Sequence, residues 1–115
     1  MRDDKENVII DFTFKFSLSI IDYCETLESR RKYILARQLL KSGTSIGANA
    51  REAQNAESKA DFIHKFKLAA KEADETEYWL ELCKSSSHYP DPSNLITDLK
   101  VIVKIISKII SSSKS

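Results

Sequence analysis

A chain of 115 residues, 42% apolar and 30% charged, is long enough to bury one core and too short for two, so residues 1–115 read as a single domain. Two glycines and two prolines are too few turn formers for a sandwich or barrel of short strands, and no apolar run approaches the roughly 18 residues of a membrane span. The start, MRDDKENVII, carries acids where a secretory leader carries net positive charge, so the chain is expected in the cytoplasm.

The net charge of +1 hides strong segregation. Residues 1–28 sum to −4, and residues 29–71, with ten bases against three acids, to +7. Residues 72–91 carry Glu72, Asp74, Glu75, Glu77, Glu81 and Asp91 against Lys84, a sum of −5. Such sidedness bears on partners and on self-association.

The first predicted element, about 7–28, carries a strand-like alternation: Ile10, Phe12, Phe14, Phe16, Leu18, Ile20. Helix is the better reading, because Ile9, Phe16, Ile20, Tyr23 and Leu27 share one helical face and the run has no Gly or Pro over more than twenty residues. Ser29 is the expected N-cap of a second helix over 31–56. Ser58 followed by Asp61 resembles a capping box opening a third helix over 59–86, with Phe62, Phe66, Ala69, Ala73, Thr76 and Leu80 along its core stripe. Pro90 and Pro92 break the chain, and Ser93 is the expected cap of a fourth helix over 93–111, whose core face is Leu95, Leu99, Ile102, Ile106 and Ile109. Lys100, Lys104 and Lys108 form a basic ridge opposite that face. Short connections between four helices predict an all-α, antiparallel up-down-up-down four-helix bundle.

Both glycines fall in one stretch of the second helix, SGTSIGANAREA, where each costs about 1 kcal/mol relative to Ala. No GxxxxGK[ST] or GxGxxG pattern is present and no strand leads in, so a phosphate-binding loop is a poor reading. On a helical wheel Ala36, Gly43, Gly47 and Ala50 share one face, beside a seam of Leu35, Leu39, Ser42, Ile46, Asn49 and Ala53. Small residues at this spacing let another helix approach closely, either inside the bundle or at a subunit contact. Polar seam residues such as Ser42 and Asn49 need partners and can set register or oligomer state. Tyr78 and Trp79, large side chains on the third helix, are expected to divide between core and subunit interface.

Chemical constellations are sparse. Asp61 and His64 form a carboxylate and histidine at i, i+3, which di-iron bundles use twice; here it occurs once, and no metal or other cofactor is expected. An Arg-x(4–6)-His ribonuclease pattern is missing, since Lys59 stands five residues before His64. Cys24 and Cys83 lack an oriented base and read as small buried apolar residues, with an up-down-up path placing both near one end of the bundle. The acids of 72–81 read as a solvated face positioned to pair with Arg37 and Lys41 of the second helix or across subunits. Arg30, Arg31, Lys32, Lys59, Lys65 and Lys67 are the candidate contacts to RNA or DNA phosphates, without aromatic interleaving or a base-reading motif.

Ser42, Gly43, Thr44, Ser45, Ile46, Ala48, Asn49, Glu52 and Ala53, then Lys71, Glu72, Ala73, Glu75, Thr76, Tyr78, Trp79 and Leu80, resemble two signature blocks, SGTSI.AN..EA and KEA.ET.YWL. They belong to the small four-helix-bundle proteins first noticed as reading frames in intervening sequences of bacterial 23S ribosomal RNA. The accessory protein of diversity-generating retroelements is similar to the same family. The resemblance implies a cytoplasmic bacterial bundle that assembles as a homopentamer and has no known catalytic residues. The retroelement relative uses a basic exterior to bind nucleic acid and a reverse transcriptase, whereas this chain is nearly neutral. A non-enzymatic, self-assembling scaffold for a protein or nucleic-acid partner is therefore the first expectation. An RNA- or DNA-binding accessory protein associated with ribosomal RNA or a reverse transcriptase is the second.

Overall fold

The computed structural model describes residues 4–114, which form α1 (Asp4–Ser29), α2 (Tyr33–Ala53), α3 (Lys59–Ser85) and α4 (Ser93–Ser113) in a rod of 46 × 20 × 19 Å. Each helix packs on its neighbours around a square, α1 on α2, α2 on α3, α3 on α4 and α4 on α1, and the diagonal pairs bring no Cα atoms within 8 Å of each other. Register shows the directions. Gly43 lies against Ile20 and Gly47 against Thr13, while Ser42 meets Thr76 and Glu52 meets Lys65, so α2 runs antiparallel to both α1 and α3. The all-α four-helix bundle expected from the sequence is the observed fold.

The core is built from the predicted faces. Ile9, Phe16, Ile20, Tyr23 and Leu27 of α1 are buried with Ala36, Leu39, Ile46, Ala50 and Ala53 of α2, Phe66, Ala69, Ala73 and Leu80 of α3, and Leu95, Leu99, Ile102, Ile106 and Ile109 of α4. Burying a large apolar side chain is worth about 1.5–3 kcal/mol. This matters most for α4, whose β-branched residues have weak helix propensity of their own.

Helix boundaries differ from expectation where caps were misassigned. Ser29 does not cap α2. It ends α1, and its hydroxyl donates to the Thr26 carbonyl at 2.7 Å. The turn that follows is a Schellman motif, in which Lys32 N–H donates to the Leu27 carbonyl (2.8 Å) and Arg31 N–H to the Glu28 carbonyl (2.9 Å). Arg31 takes the left-handed position at φ 63°, where glycine is the usual occupant. α2 consequently starts at Tyr33 instead of 31, with no side-chain cap, and it stops at Ala53 instead of 56. Ser58 does cap α3, accepting Asp61 N–H at 3.0 Å, while the Asp61 carboxylate reaches back to Glu57 N–H at 3.2 Å. Before α4 the N-cap position falls on Pro92, not Ser93, with no side-chain cap; Ser93 is the first helical residue, and the Asp91 carboxylate accepts both its backbone N–H (3.0 Å) and its hydroxyl (2.6 Å). Those two bonds hold the Asp91 carboxyl below the usual carboxylate range.

Candidate functional site

The glycine face is directed inward, onto α1. A Cβ on Gly43 would stand 2.9 Å from two side-chain carbons of Ile20, and one on Gly47 would stand 3.2 Å from Thr13 Cβ and Oγ1 and 3.3 Å from its carbonyl oxygen. Two helices approach this closely only where a side chain is missing. Thr13 was not singled out in the sequence, although it falls on the Ile9–Phe16–Ile20 face. It is buried mid-helix because its hydroxyl donates to the Ile9 carbonyl at 2.7 Å.

The seam beside the glycines faces α3. Thr76 donates to Ser42 Oγ at 2.9 Å in the interior and also reaches the Glu72 carbonyl at 2.8 Å. The hydroxyl pair leaves no orphaned polar atom and ties the centre of α2 to α3. Ile46 is buried beside it, whereas Asn49 is half-buried and donates to the Ser45 carbonyl of its own helix at 2.9 Å. At the far end of the same contact Lys65 bridges Glu52 at 3.1 Å.

Of the remaining signature residues, Ala53, Ala73 and Leu80 are buried in the core, and Thr44 and Ser45 lie half-buried at the surface of α2. Thr44 and Ser45 hydroxyls turn back onto the Leu40 and Lys41 carbonyls at 2.7 and 2.6 Å, so the exterior of α2 there is smooth and low. Beside it lies a groove of about 280 Å³ between α1 and α2, lined by Ile10, Thr13, Phe14, Ser17, Thr44, Gly47, Ala48 and Arg51. Phe14 (53% exposed) lines the groove, Leu18 (50%) and Ile21 are exposed further along α1, and the Arg51 guanidinium sits 5.9 Å from the centre of the Phe14 ring. The strand-like alternation of α1 now has a physical reading. Phe16 and Ile20 enter the core, while Phe12, Phe14 and Leu18 leave it.

On α3, Trp79 is half-buried against the core, with its indole N–H donating to Glu75 at 3.3 Å. Tyr78 is 59% exposed and stacks edge-on against Trp79 at 5.2 Å. Glu72 is half-buried and Glu75 exposed. Neither Arg37 nor Lys41 forms an ion pair with the acids of 72–81 among the described residues; the bridge between these helices is Lys65–Glu52.

The six candidate phosphate contacts do not converge. Arg30, Arg31 and Lys32 occupy the α1–α2 turn at one end of the rod, beside a depression of about 240 Å³ shared with Tyr33, Ile34, Leu35 and Tyr89. Lys32 lies 5.2 Å from the Tyr89 ring, an aromatic neighbour the sequence did not reveal. Lys59, Lys65 and Lys67 start α3 at the opposite end, and Lys65 is engaged by Glu52.

The buried titratable groups are held neutral. Burial pushes the Cys24 thiol up to about 12, raises Cys83, and raises the Tyr23 phenol, which donates to the Pro90 carbonyl at 2.7 Å. The two cysteines share one end of the bundle, as expected. They belong to the diagonal pair α1 and α3, whose Cα atoms nowhere come within 8 Å, beyond the span of a disulfide. Thiols held protonated in this way are poor nucleophiles. Among the described residues no group of three or more His, Cys, Asp and Glu could hold a metal ion, and no helix is long and apolar enough to cross a membrane.

Comparison with known proteins follows the same pattern. The profile of the 23S rRNA-intervening sequence protein family matches residues 5–112. The chain is also similar to a crystal structure of a protein of unknown function from the S23 ribosomal protein family of Bacteroides thetaiotaomicron VPI-5482. The two are 41% identical with a TM-score of 0.88, over 93% of this chain and 98% of that one. No functionally curated protein matches. With both signature blocks in place on α2 and α3, the chain belongs to the 23S rRNA-intervening sequence protein family.

Proposed function

We propose that the protein is a non-enzymatic helical scaffold of the bacterial cytoplasm that assembles with copies of itself, as a homopentamer in keeping with the family resemblance, and presents the assembled surface to a protein or nucleic-acid partner. The observation that carries this reading is the apolar exterior of α1: Phe14, Leu18 and Ile21 lie outside the core, and Leu40 of α2 is exposed as well. A helix that is apolar on its outer face as well as its inner one calls for a second contact, and contiguous exposed apolar surface of this kind marks interaction sites. Support for a non-enzymatic role comes from the titratable groups, since the strongly shifted ones are buried and neutral instead of poised in a cleft. Light scattering behind size-exclusion chromatography tests the assembly: the expected mass is about five times the 13.1 kDa chain, and a 13.1 kDa monomer would overturn it.

A second reading, an RNA- or DNA-binding accessory protein associated with ribosomal RNA or a reverse transcriptase, draws on the basic turn Arg30–Lys32 beside Tyr33 and Tyr89. Its test is titration of structured RNA at low and at moderate salt. Binding that weakens steeply with salt is expected of phosphate contacts, and no binding at low salt would remove the reading.

A further inference from the structure

Among the described residues two outward features have no partner, and they differ in shape. One is concave: the α1–α2 groove, with Gly47 in its lining and Ile10, Phe14, Thr44 and Ala48 along its sides. The other is convex: on α3, Tyr78 projects from the helix and Leu82 is exposed one turn later. The α2 side of the groove and the α3 ridge carry opposite charge. Arg51 lines the groove, Arg37 and Lys41 are exposed further along α2, and none of them is in an ion pair among the described residues. Asp74, Glu75 and Glu81 surround Tyr78 on α3 and are likewise without ion pairs among the described residues.

We propose that Tyr78 and Leu82 of one copy seat in the α1–α2 groove of a second copy, with Asp74, Glu75 and Glu81 of the first facing Arg37, Lys41 and Arg51 of the second. This rests on the self-assembly reading and specifies which surfaces meet. The groove suits an apolar guest, because the Thr13 and Thr44 hydroxyls in its lining are already satisfied on the carbonyls of their own helices. Tyrosine suits the ridge, since its ring fills an apolar slot while its hydroxyl stays at the wet rim. The alternative two-fold contacts are poorer. Groove on groove leaves both concavities unfilled, and ridge on ridge brings like-charged acids together. A contact between two different surfaces is head-to-tail, and where the rotation between copies closes it makes a ring, including the odd-numbered rings that two-fold contacts cannot make.

The test uses Ala48→Glu, which blocks the groove and leaves the ridge, and Tyr78→Glu, which blocks the ridge and leaves the groove. Both positions are solvent-exposed, and retained helicity is checked by circular dichroism. Each variant alone is expected to run at the mass of one chain, and an equimolar mixture is expected to run at the mass of two, because one intact groove and one intact ridge remain. Phe14→Glu with Leu82→Glu should reproduce the pattern and stands in if either first variant loses helicity. If a helical single variant keeps the wild-type mass, or the mixture stays at the mass of one chain, the pairing of these surfaces is wrong while self-assembly stands. A wild-type protein at the mass of one chain would overturn both.

Discussion

The two flanks of α2 achieve close packing by different means. Towards α1 the helix removes side chains, and Gly43 and Gly47 let Ile20 and Thr13 press against bare backbone. Towards α3 it keeps side chains and links them, with the Ser42–Thr76 hydroxyl bond in the interior and Lys65–Glu52 at the rim. A contact made by absence tolerates no addition, while a contact made by a hydrogen bond tolerates no removal of one partner. The same stretch of sequence should therefore respond to opposite kinds of mutation on its two sides.

The largest effect is expected on the α1 side. Gly43→Leu places a branched side chain where even a Cβ lies 2.9 Å from the stiff, fully buried Ile20, and denaturant unfolding should show a loss of about 3 kcal/mol. On the α3 side, Thr76→Val preserves volume but leaves Ser42 Oγ buried without its partner, a loss of about 2 kcal/mol. Adding Ser42→Ala should recover part of that loss, so a double-mutant cycle that proves purely additive would show the hydroxyl pair is not coupled. Gly47→Ala sets about 1 kcal/mol of gained helix propensity against contacts of 3.2–3.3 Å that include the Thr13 backbone carbonyl, which cannot rotate away. The net expectation is a loss of about 1 kcal/mol in unfolding free energy, seen as a lower unfolding midpoint. Arg31→Gly, outside both flanks, serves as the contrast: there glycine is added where the backbone asks for it, and stability should rise by about 1 kcal/mol.

Much of the fold was legible because the buried positions repeat at helical spacing; Leu95, Leu99, Ile102, Ile106 and Ile109 are all in the core. What the sequence obscured was local hydrogen bonding at the turns. Ser29 and Ser93 have the composition of N-caps. The Schellman turn at Arg31 moves the start of α2 past Ser29, and Pro92 takes the N-cap position that Ser93 was expected to fill, while Ser93 becomes the first helical residue and donates to Asp91. The wheel identified the glycine face but could not say which helix it meets, since α1, α3 and a second copy are equivalent on a single wheel. Antiparallel register settles that by placing Ile20 and Thr13 opposite Gly43 and Gly47. The basic residues show the converse case. Arg30–Lys32 and Lys59–Lys67 form one positive stretch in sequence, and the hairpin sends them to opposite ends.

Two positions on α2 carry different tasks: Gly43, outside the groove lining, packs against Ile20 within the chain, and Ala48 lines the groove that meets a second copy. The most direct measurement is the light-scattering mass of Gly43→Ala and Ala48→Glu side by side. The prediction is that Gly43→Ala keeps the wild-type mass despite a lower unfolding midpoint, while Ala48→Glu stays helical and falls to the 13.1 kDa of one chain. An Ala48→Glu protein that keeps the wild-type mass, or a Gly43→Ala protein that dissociates with its midpoint unchanged, would contradict it.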